Sequence, residues 1–291
     1  MTATPTRPLD WNVVDAAYNR QLHGTLPARW LLVQTLATSP SRRALLGSLG
    51  VPAGAKVIDV GTGFGPIPLE LCGMGEVHAV GIDRDEENLA VARRLAAELG
   101  DAGWLRPEGS LTFTEGDAYD LPVEDDEFDL ATSRLLFQHL DDPSEAADEL
   151  YRVVKPGGGV CVIDVDDALA LTYPEPSDAF LRLQQAFRQL QETKGGDRFV
   201  GRKLSSYLER AGFTIISLVV LPQTAHGPST PTDAGRVFAL ERLRTVRDEA
   251  IAAGVISADE FAACYDQFAG ERLASQCAVE AHLAVVGHKP A

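Results

Sequence analysis

No stretch of this chain approaches the roughly 20 consecutive apolar residues that a membrane-spanning helix needs. The opening MTATPTRPLDW has no apolar signal core. Basic residues are scarce: 26 Lys and Arg stand against 42 Asp and Glu, for a formal net charge of −16 and a pI near 4.7. That balance excludes a broad electrostatic attraction to nucleic acid or anionic lipid. Cysteine is limited to Cys72, Cys161, Cys264 and Cys277, with no CxxC or metal-type spacing. They read as reduced, mostly buried small apolar residues rather than disulfides or ligands. HExxH and clustered His/Cys or carboxylate signatures are missing too, so no metal is expected. The expected setting is the cytoplasm, with neither nucleic acid nor membrane as partner.

What is present is an ordinary globular composition, 45% hydrophobic and 23% charged, long enough for one large core or two modest ones. Residues 11–49 read as helical. From Lys56 short apolar runs alternate with helical periods. Strands are expected at 56–60, 76–83, 111–117, 128–133, 160–167, 214–221 and 281–288. Between them, Leu89, Ala92, Ala96 and Leu99 share a helix face that ends at Gly100. Asp142-Pro143 with Glu145 opens another helix. Such alternation argues a parallel, doubly wound sheet. Residues 168–200 and 222–275 break the alternation with helical patterns around Phe180, Phe187, Phe238, Leu240, Leu243, Phe261 and Phe268. They are expected as a helical lid beside the site, the other reading being packing or a homo-oligomer contact. The resulting division is an N-terminal helical segment (1–50), a ligand-binding core (51–167), lid insertions (168–200 and 222–275), and the rest of the sheet (201–221 and 276–291).

The stretch VIDVGTGFGPIPLEL places Gly61, Gly63 and Gly65 directly after the first strand. Glycine accepts positive φ and leaves room for a ligand, and a helix from about Pro66 adds its positive end. A dinucleotide fingerprint would carry a third glycine where Pro66 stands, and proline lacks the amide donor a pyrophosphate uses. That argues against NAD or FAD. Asp83, closing the second strand, suits both hydroxyls of a ribose; the other reading is a helix N-cap, since D-R-D-E follows that pattern.

These segments, with EGDAYDLP, FDLATSRLLFQHLDDP and LYRVVKPGGGVCVID in order, resemble the successive motifs of class I S-adenosylmethionine-dependent methyltransferases over about Lys56 to Asp167. The nearest likeness is to the ubiquinone/menaquinone-type and small-molecule natural-product branch. The resemblance implies a Rossmann-like, doubly wound, seven-stranded and mostly parallel α/β sheet with N-terminal helices and a helical lid. It implies S-adenosylmethionine as cofactor, with Gly61, Thr62, Gly63 and Gly65 beneath its methionine part and Asp83 on the ribose. Asp117 and Ala118 would meet the adenine. Ser133 and Arg134 would lie near the methionine end, Arg134 pairing with its carboxylate; the competing reading makes Arg134 a partner for Asp141 and Asp142. Tyr18 either closes over the cofactor or is a partly exposed helical tyrosine.

Transfer of an activated methyl needs mainly alignment and exclusion of water. A general base would help a phenol or amine acceptor. His139 is the catalytic candidate, its alternative role being to order the loop near Asp141 and Asp142; His23 and His226 are weaker candidates. The acidic charge and the apolar lid point to a small, partly apolar acceptor, with secondary metabolism as its setting. The rival readings are a non-methylating enzyme that binds the same cofactor for a cyclisation or decarboxylation, an NAD-type oxidoreductase, and an interaction protein with a decayed site.

Overall fold

The structure, a computed structural model, describes residues 9–22, 29–230 and 234–291. Three helices lead: α1 (Trp11–Leu22), α2 (Arg29–Ala37) and α3 (Ser39–Ser48). Strand and helix then alternate through β1 (Lys56–Val60), α4 (Pro66–Met74), β2 (His78–Asp83), α5 (Glu86–Asp101), β3 (Ser110–Glu115), β4 (Phe128–Arg134), α6 (Pro143–Val153) and β5 (Val154–Tyr173). The remainder is α7 (Asp178–Thr193), α8 (Leu204–Ala211), β6 (Thr214–Ser229), α9 (Ala234–Ala252), α10 (Ala258–Gly270) and β7 (Leu273–His288).

The seven strands form one sheet in the order β3-β2-β1-β4-β5-β7-β6. The first five run parallel, and β7 runs antiparallel to both β5 and β6. This is the doubly wound, mostly parallel α/β architecture expected from the alternation of elements. Because successive side chains point to opposite faces, Ile58, Ala131 and Val162 pack toward α6 and α8, while Val57, Leu130 and Cys161 pack toward α3 and α4. Strand order reverses between β1 and β4, so a crevice opens there at the carboxyl ends of the strands.

Several helix signals take the expected form. Asp142 caps α6 by accepting from the Ser144 and Glu145 amides, with Pro143 in the first turn. Ser177 and Ser257 cap α7 and α10. Glu260 does not turn back to close a box on Ser257; its carboxylate pairs with Arg182 of α7. The α5 helix runs past Gly100 to Asp101, and Gly103, at φ +67°, is the left-handed residue beyond its end. Cys277 lies exposed, whereas Cys72 and Cys161 are buried.

The last three strands are much longer than the apolar runs suggest. The segments expected as lid at 168–173, 222–229 and 273–275 continue the ladder, with Ala170↔Glu280, Pro222↔Ala281 and Ser229↔Leu273 in register. Pro222 and Pro228 read as loop punctuation in the sequence. They are tolerated because β6 is the edge strand, where a missing amide donor need not break a ladder bond. The extension rises beyond the carboxyl edge and carries α7, α9 and α10. These helices bury their own core of Leu183, Leu190, Leu243, Phe261 and Phe268, with Phe180 stacked on Phe268 at 4.4 Å. Most of the lid phenylalanines therefore face one another rather than a ligand. Among the described residues no helix is long and apolar enough to cross a membrane.

The N-terminal helices are locked to the sheet layer by a buried ion cluster. Glu70 of α4, with no solvent exposure, accepts from Arg42 Nε (2.8 Å) and Nη2 (2.7 Å) and from Arg43 Nε (2.8 Å). Arg43 also reaches Asp15 of α1, and Arg42 Nη1 donates to the Thr35 carbonyl and Thr38 Oγ1, both at 3.0 Å. Removing one member of a buried ion set strands the others without counter-charge. Glu70→Ala is expected to lose about 3–5 kcal/mol of stability in urea denaturation, and adding Arg42→Met to that variant is expected to recover part of the loss.

Candidate functional site

The glycine turn sits at the carboxyl end of β1. Gly61, Gly63 and Gly65 adopt φ +71°, +54° and +75°, a region that costs any residue with a β-carbon. Two of them are also close approaches within the protein: a β-carbon on Gly61 would meet Leu136 at 2.9 Å, and one on Gly65 would meet Phe113 at 2.7 Å. Gly63 differs, because nothing lies within 4 Å of its missing β-carbon. The turn is open to a ligand at that one residue.

The turn is not a phosphate cradle. The amides of Gly61 and Thr62 both donate to the Ile82 carbonyl (2.8 and 2.9 Å), and Gly65 donates to Thr62 O. The Gly63 amide donates to Asp83 Oδ2 at 2.7 Å. The donors that a pyrophosphate would need at these four residues are already committed. A carboxylate also stands at the loop, where it would repel an anion. The hydroxyl of Thr62 bonds Asp59 Oδ2 at 2.7 Å and its side chain is buried. Thr62, expected at the ligand, therefore presents no free polar group; its role is to hold the turn.

Asp59 anchors that turn from below. It accepts from Thr62 and, through Oδ1, from Thr132 on β4 at 2.7 Å. Burial pushes its carboxyl up to about 6 against the pull of these two bonds. Asp83, at the end of β2, accepts from Gly63 and from the Asp85 amide at 3.0 Å. It is not the helix cap: Asp85 caps α5 through the Glu87 and Asn88 amides. Burial raises the Asp83 carboxyl above its usual range, with the two amide bonds opposing. Each of its oxygens retains a lone pair for a further donor.

The end of β4 supplies the other wall. Ser133 is fully buried and its Oγ has no hydrogen-bond partner. Arg134 donates from Nη2 to Thr38 Oγ1 at 2.7 Å, joining the Arg42–Glu70 cluster, and no described carboxylate forms an ion pair with it. Burial, reinforced by Arg42, lowers its guanidinium to about 9, so it stays charged at neutral pH. Asp141 and Asp142 are engaged elsewhere, with Tyr119 and the α6 cap, so the reading of Arg134 as their partner does not hold. Leu135, next in sequence, stands at φ +58°, an uncommon conformation for a bulky residue. It turns the chain away at the sheet edge, with its amide on the Ile163 carbonyl.

Tyr18 of α1 is completely buried, not a partly exposed tyrosine, and its hydroxyl has no partner. Burial and the nearby Glu70 charge raise its pKa, so it stays protonated. Asp117 is exposed and accepts from the Tyr119 amide; Ala118 packs at the edge of the main core. His139 ends a 3₁₀ turn (Phe137–His139), with Nδ1 3.2 Å from Gln191 Nε2 of α7. It does not bond Asp141 or Asp142. Desolvation by crowded neighbours, then the cations Arg198, Arg84 and Lys194, lower its pKa and keep the exposed ring neutral. His226 is exposed on β6 opposite Cys277 and belongs to no site, and His23 lies outside the described residues.

A second group of residues carried no motif. Beyond Asp164 on β5, a cavity of about 100 Å³ opens between the extended β5 and β7 and the helices α7 and α9. Val165, Phe187, Arg198, Arg242 and His282 are among its lining residues. Asp164 is fully buried, bonded to the Val165 and Gln138 amides and pushed up to about 7 by burial. His282 is buried and held neutral, pushed down to about 3 by desolvation and by Arg134, Arg198 and Arg42. Since β7 enters only through the long ladder, nothing local in AHLAVVGH marks that histidine.

Over residues 58–162 the chain matches the methyltransferase domain family. It is 35% identical over 112 residues to a demethylmenaquinone methyltransferase of Clavibacter sepedonicus, covering 38% of this chain and 42% of that protein. Its fold resembles that of the (4+2)-cyclase SpnF at a TM-score of 0.53 and 21% identity, covering 85% of this chain and 81% of the other. It also resembles phosphoethanolamine N-methyltransferase 2 of Haemonchus contortus, solved with S-adenosyl-L-methionine, at a TM-score of 0.51 and 17% identity, covering 94% and 60% of the two chains. These structural likenesses establish the fold. The matched part of the chain spans between 42% and 78% of the length of the curated relatives it is similar to.

The raised carboxyl of Asp59 sets a pH dependence. Its folded pKa lies above the unfolded value, so its contribution is full below about pH 4 and is lost as pH rises through about 6. In the Asp59→Asn variant, stability measured by denaturation across pH 4–7 is expected to lose a downward slope worth about 2–3 kcal/mol. An unchanged slope would mean that Asp59 is ionised throughout.

Proposed function

We propose, on the premise that this chain belongs through residues 58–162 to the class I S-adenosylmethionine-dependent methyltransferases, that it transfers a methyl group from S-adenosylmethionine to a small, partly apolar acceptor. The observation that carries this reading is the set of unmatched groups around the glycine turn. Among the described residues, two buried hydroxyls without partners (Tyr18, packed in one core with Phe64 of the turn, and Ser133, paired with Val60 at the end of β1), one cation without an ion pair (Arg134) and one open glycine (Gly63) lie on the elements that meet at the turn, together with a carboxylate tied to the loop itself (Asp83). Orphaned buried polar groups are costly and call for a partner. An amino acid head and a ribose diol on one molecule supply such partners.

The residues fit that cofactor group by group. Arg134 would hold its carboxylate through a charge-assisted bond, with the Tyr18 and Ser133 hydroxyls beside the same amino acid end. Asp83 would accept from the ribose hydroxyls, and Asp117 with the Ala118 backbone would meet the adenine. Gly63 leaves the space for the chain of the ligand to cross the turn. A dinucleotide fits poorly, because the amides of Gly61, Thr62, Gly63 and Gly65 are spent and Pro66 follows.

S-adenosylmethionine, when bound, supplies a methyl already activated as a sulfonium. The chain's own task is alignment and dryness, worth about 7–11 kcal/mol of barrier when the reacting atoms are held in line. The cavity under α7 and α9 adjoins the end of β5, which is paired with β4 at Arg134↔Ile163. An acceptor there would lie beside the methionine end of the cofactor, under a lid with its own rigid core. His139 and His282 are neutral imidazoles at this edge; either one can accept a hydrogen bond from an acceptor hydroxyl or amine, but their lowered pKa makes them weak bases until a ligand changes their surroundings.

Calorimetry of the purified chain is expected to show binding of S-adenosylmethionine and S-adenosylhomocysteine and none of NAD. Asp83→Ala is expected to weaken that binding by about 1–3 kcal/mol, and an unchanged affinity in a folded variant would remove Asp83 from the ribose role. His139→Ala with intact cofactor affinity and a slowed turnover would make His139 the base; unchanged turnover would pass that role to His282 or to none. An acceptor converted without gain of one CH₂ in mass would favour the non-methylating reading, for which the cyclase sharing this fold is the precedent.

A further inference from the structure

The cavity between the sheet extension and the lid has an unbalanced charge. Three arginines and three carboxylates contribute to its wall, but they are not matched to one another. Asp167 is taken by Arg198, which donates to it from Nε and Nη2 (2.7–3.2 Å) and to Gln138 Oε1 from Nη1. Asp166 is taken by Arg202 from outside the cavity, in a bidentate pair at 2.6 Å. Glu280 sits exposed at the rim and forms no ion pair among the described residues. Two lining arginines are left over. Arg188 lies over Phe199 at 6.0 Å and makes no hydrogen bond among the described residues.

Arg242 is the sharper case. Its guanidinium stacks on Phe187 at 4.6 Å and reaches Phe238 at 5.2 Å. It makes no hydrogen bond or ion pair among the described residues, and its Nε is sealed from solvent. A guanidinium offers five donors in a planar fork shaped for a carboxylate. Aromatic faces hold it in place without using any of those donors. Elsewhere the protein matches its buried arginines carefully: Arg42 and Arg43 are both saturated by Glu70 and its neighbours. Arg242 has a preset position between two rings and an unfilled set of donors, and it faces a cavity. Arg198, close by, adds to the positive field, while Glu280 and Asp167 oppose it from a distance without pairing with Arg242.

We infer that this cavity is the acceptor's anchoring site and that it takes a small organic carboxylate, gripped by the guanidinium of Arg242 with Phe187 and Val165 against its apolar body. The inference rests on the methyl-transfer reading for the word acceptor, but not for the anion site itself. It makes Arg242 a specificity-determining residue: neutral analogues of the same shape would leave its donors unpaired, a strong basis for rejection. The neutral ring of His282 lies in the same wall, where an acceptor's hydroxyl or amine would come within its reach once the carboxylate is held.

The test is calorimetric titration of the full chain, saturated with S-adenosylhomocysteine, with benzoate and with hexanoate, each against its own amide. At least one carboxylate is expected to bind ten times or more tightly than its amide. Arg242→Gln is expected to abolish that preference and Arg242→Lys to keep part of it, with S-adenosylhomocysteine affinity unchanged in both. Without any carboxylate, Arg242→Met is expected to raise the Tm, because it removes a half-buried charge that forms no ion pair among the described residues. No carboxylate binding by a protein that binds S-adenosylhomocysteine would overturn the inference. So would carboxylate binding indifferent to Arg242→Gln, or a Tm lowered by Arg242→Met, which would make the stack on Phe187 a packing device. Carboxylate binding that depends on Arg242 in a protein that does not bind S-adenosylhomocysteine would sink the methyl-transfer reading and leave the anion site standing.

Discussion

Glu70 holds this molecule together at the point where its two halves meet. The residue sits on the helix that follows the glycine turn, wholly buried, and neutralises two arginines from the N-terminal helices. From Arg42 the same network passes through Thr38 to Arg134 at the end of β4. One carboxylate thus ties the first helices, the glycine turn's helix and the carboxyl edge of the sheet into one rigid unit. A buried ion set of this kind contributes little net stability over an apolar core. What it supplies is placement: Arg134 stays charged, half-buried and held by Thr38, although no described carboxylate forms an ion pair with it.

The glycine turn obeys a related economy. Its amides at Gly61, Thr62, Gly63 and Gly65 are committed to Ile82, Asp83 and Thr62, so its use to a ligand is chiefly space rather than donors. This separates the site from phosphate-binding turns built on the same strand–glycine–helix pattern, which aim free amides at an anion. The carboxylates tell the same story. Asp59 is spent on two threonines beneath the turn, whereas Asp83 keeps lone pairs in reserve at its rim. Two acidic residues near the same loop thus serve different ends, one structural and one turned outward, and the difference lies in what donates to each.

The lid is coupled to the sheet through backbone as well as side chains. Three strands run on past the carboxyl edge as one antiparallel ladder, from Ala170↔Glu280 out to Ser229↔Leu273. A lid carried on such a ladder is stiff near its root, because ladder hydrogen bonds and strand twist resist hinging. The lid helices add a separate core around Leu183, Leu243 and Phe261. The cavity beneath them is accordingly framed by two rigid bodies, and its arginines are oriented by aromatic rings and by Asp167 before any ligand arrives.

The sequence by itself determined the order of strands and helices, the position of the glycine turn, the helix caps at Asp142 and Ser257, and Asp83 at the end of the second strand. Those features rest on local chemistry: apolar periodicity, the φ freedom of glycine and short side chains that reach nearby amides. Tertiary structure alone decided the rest. Thr62 turned inward because Asp59 lay beneath it, three residues away in sequence and one layer down in space. The strands outran their apolar cores because an edge position tolerates Pro222 and Pro228, and a position at the edge is a property of the sheet. Arg134 and Arg242 remained without carboxylates, and His282 came to the cavity, through contacts spanning dozens of residues. No local pattern can state which charge will be left unpaired, since that depends on where every other charge has gone.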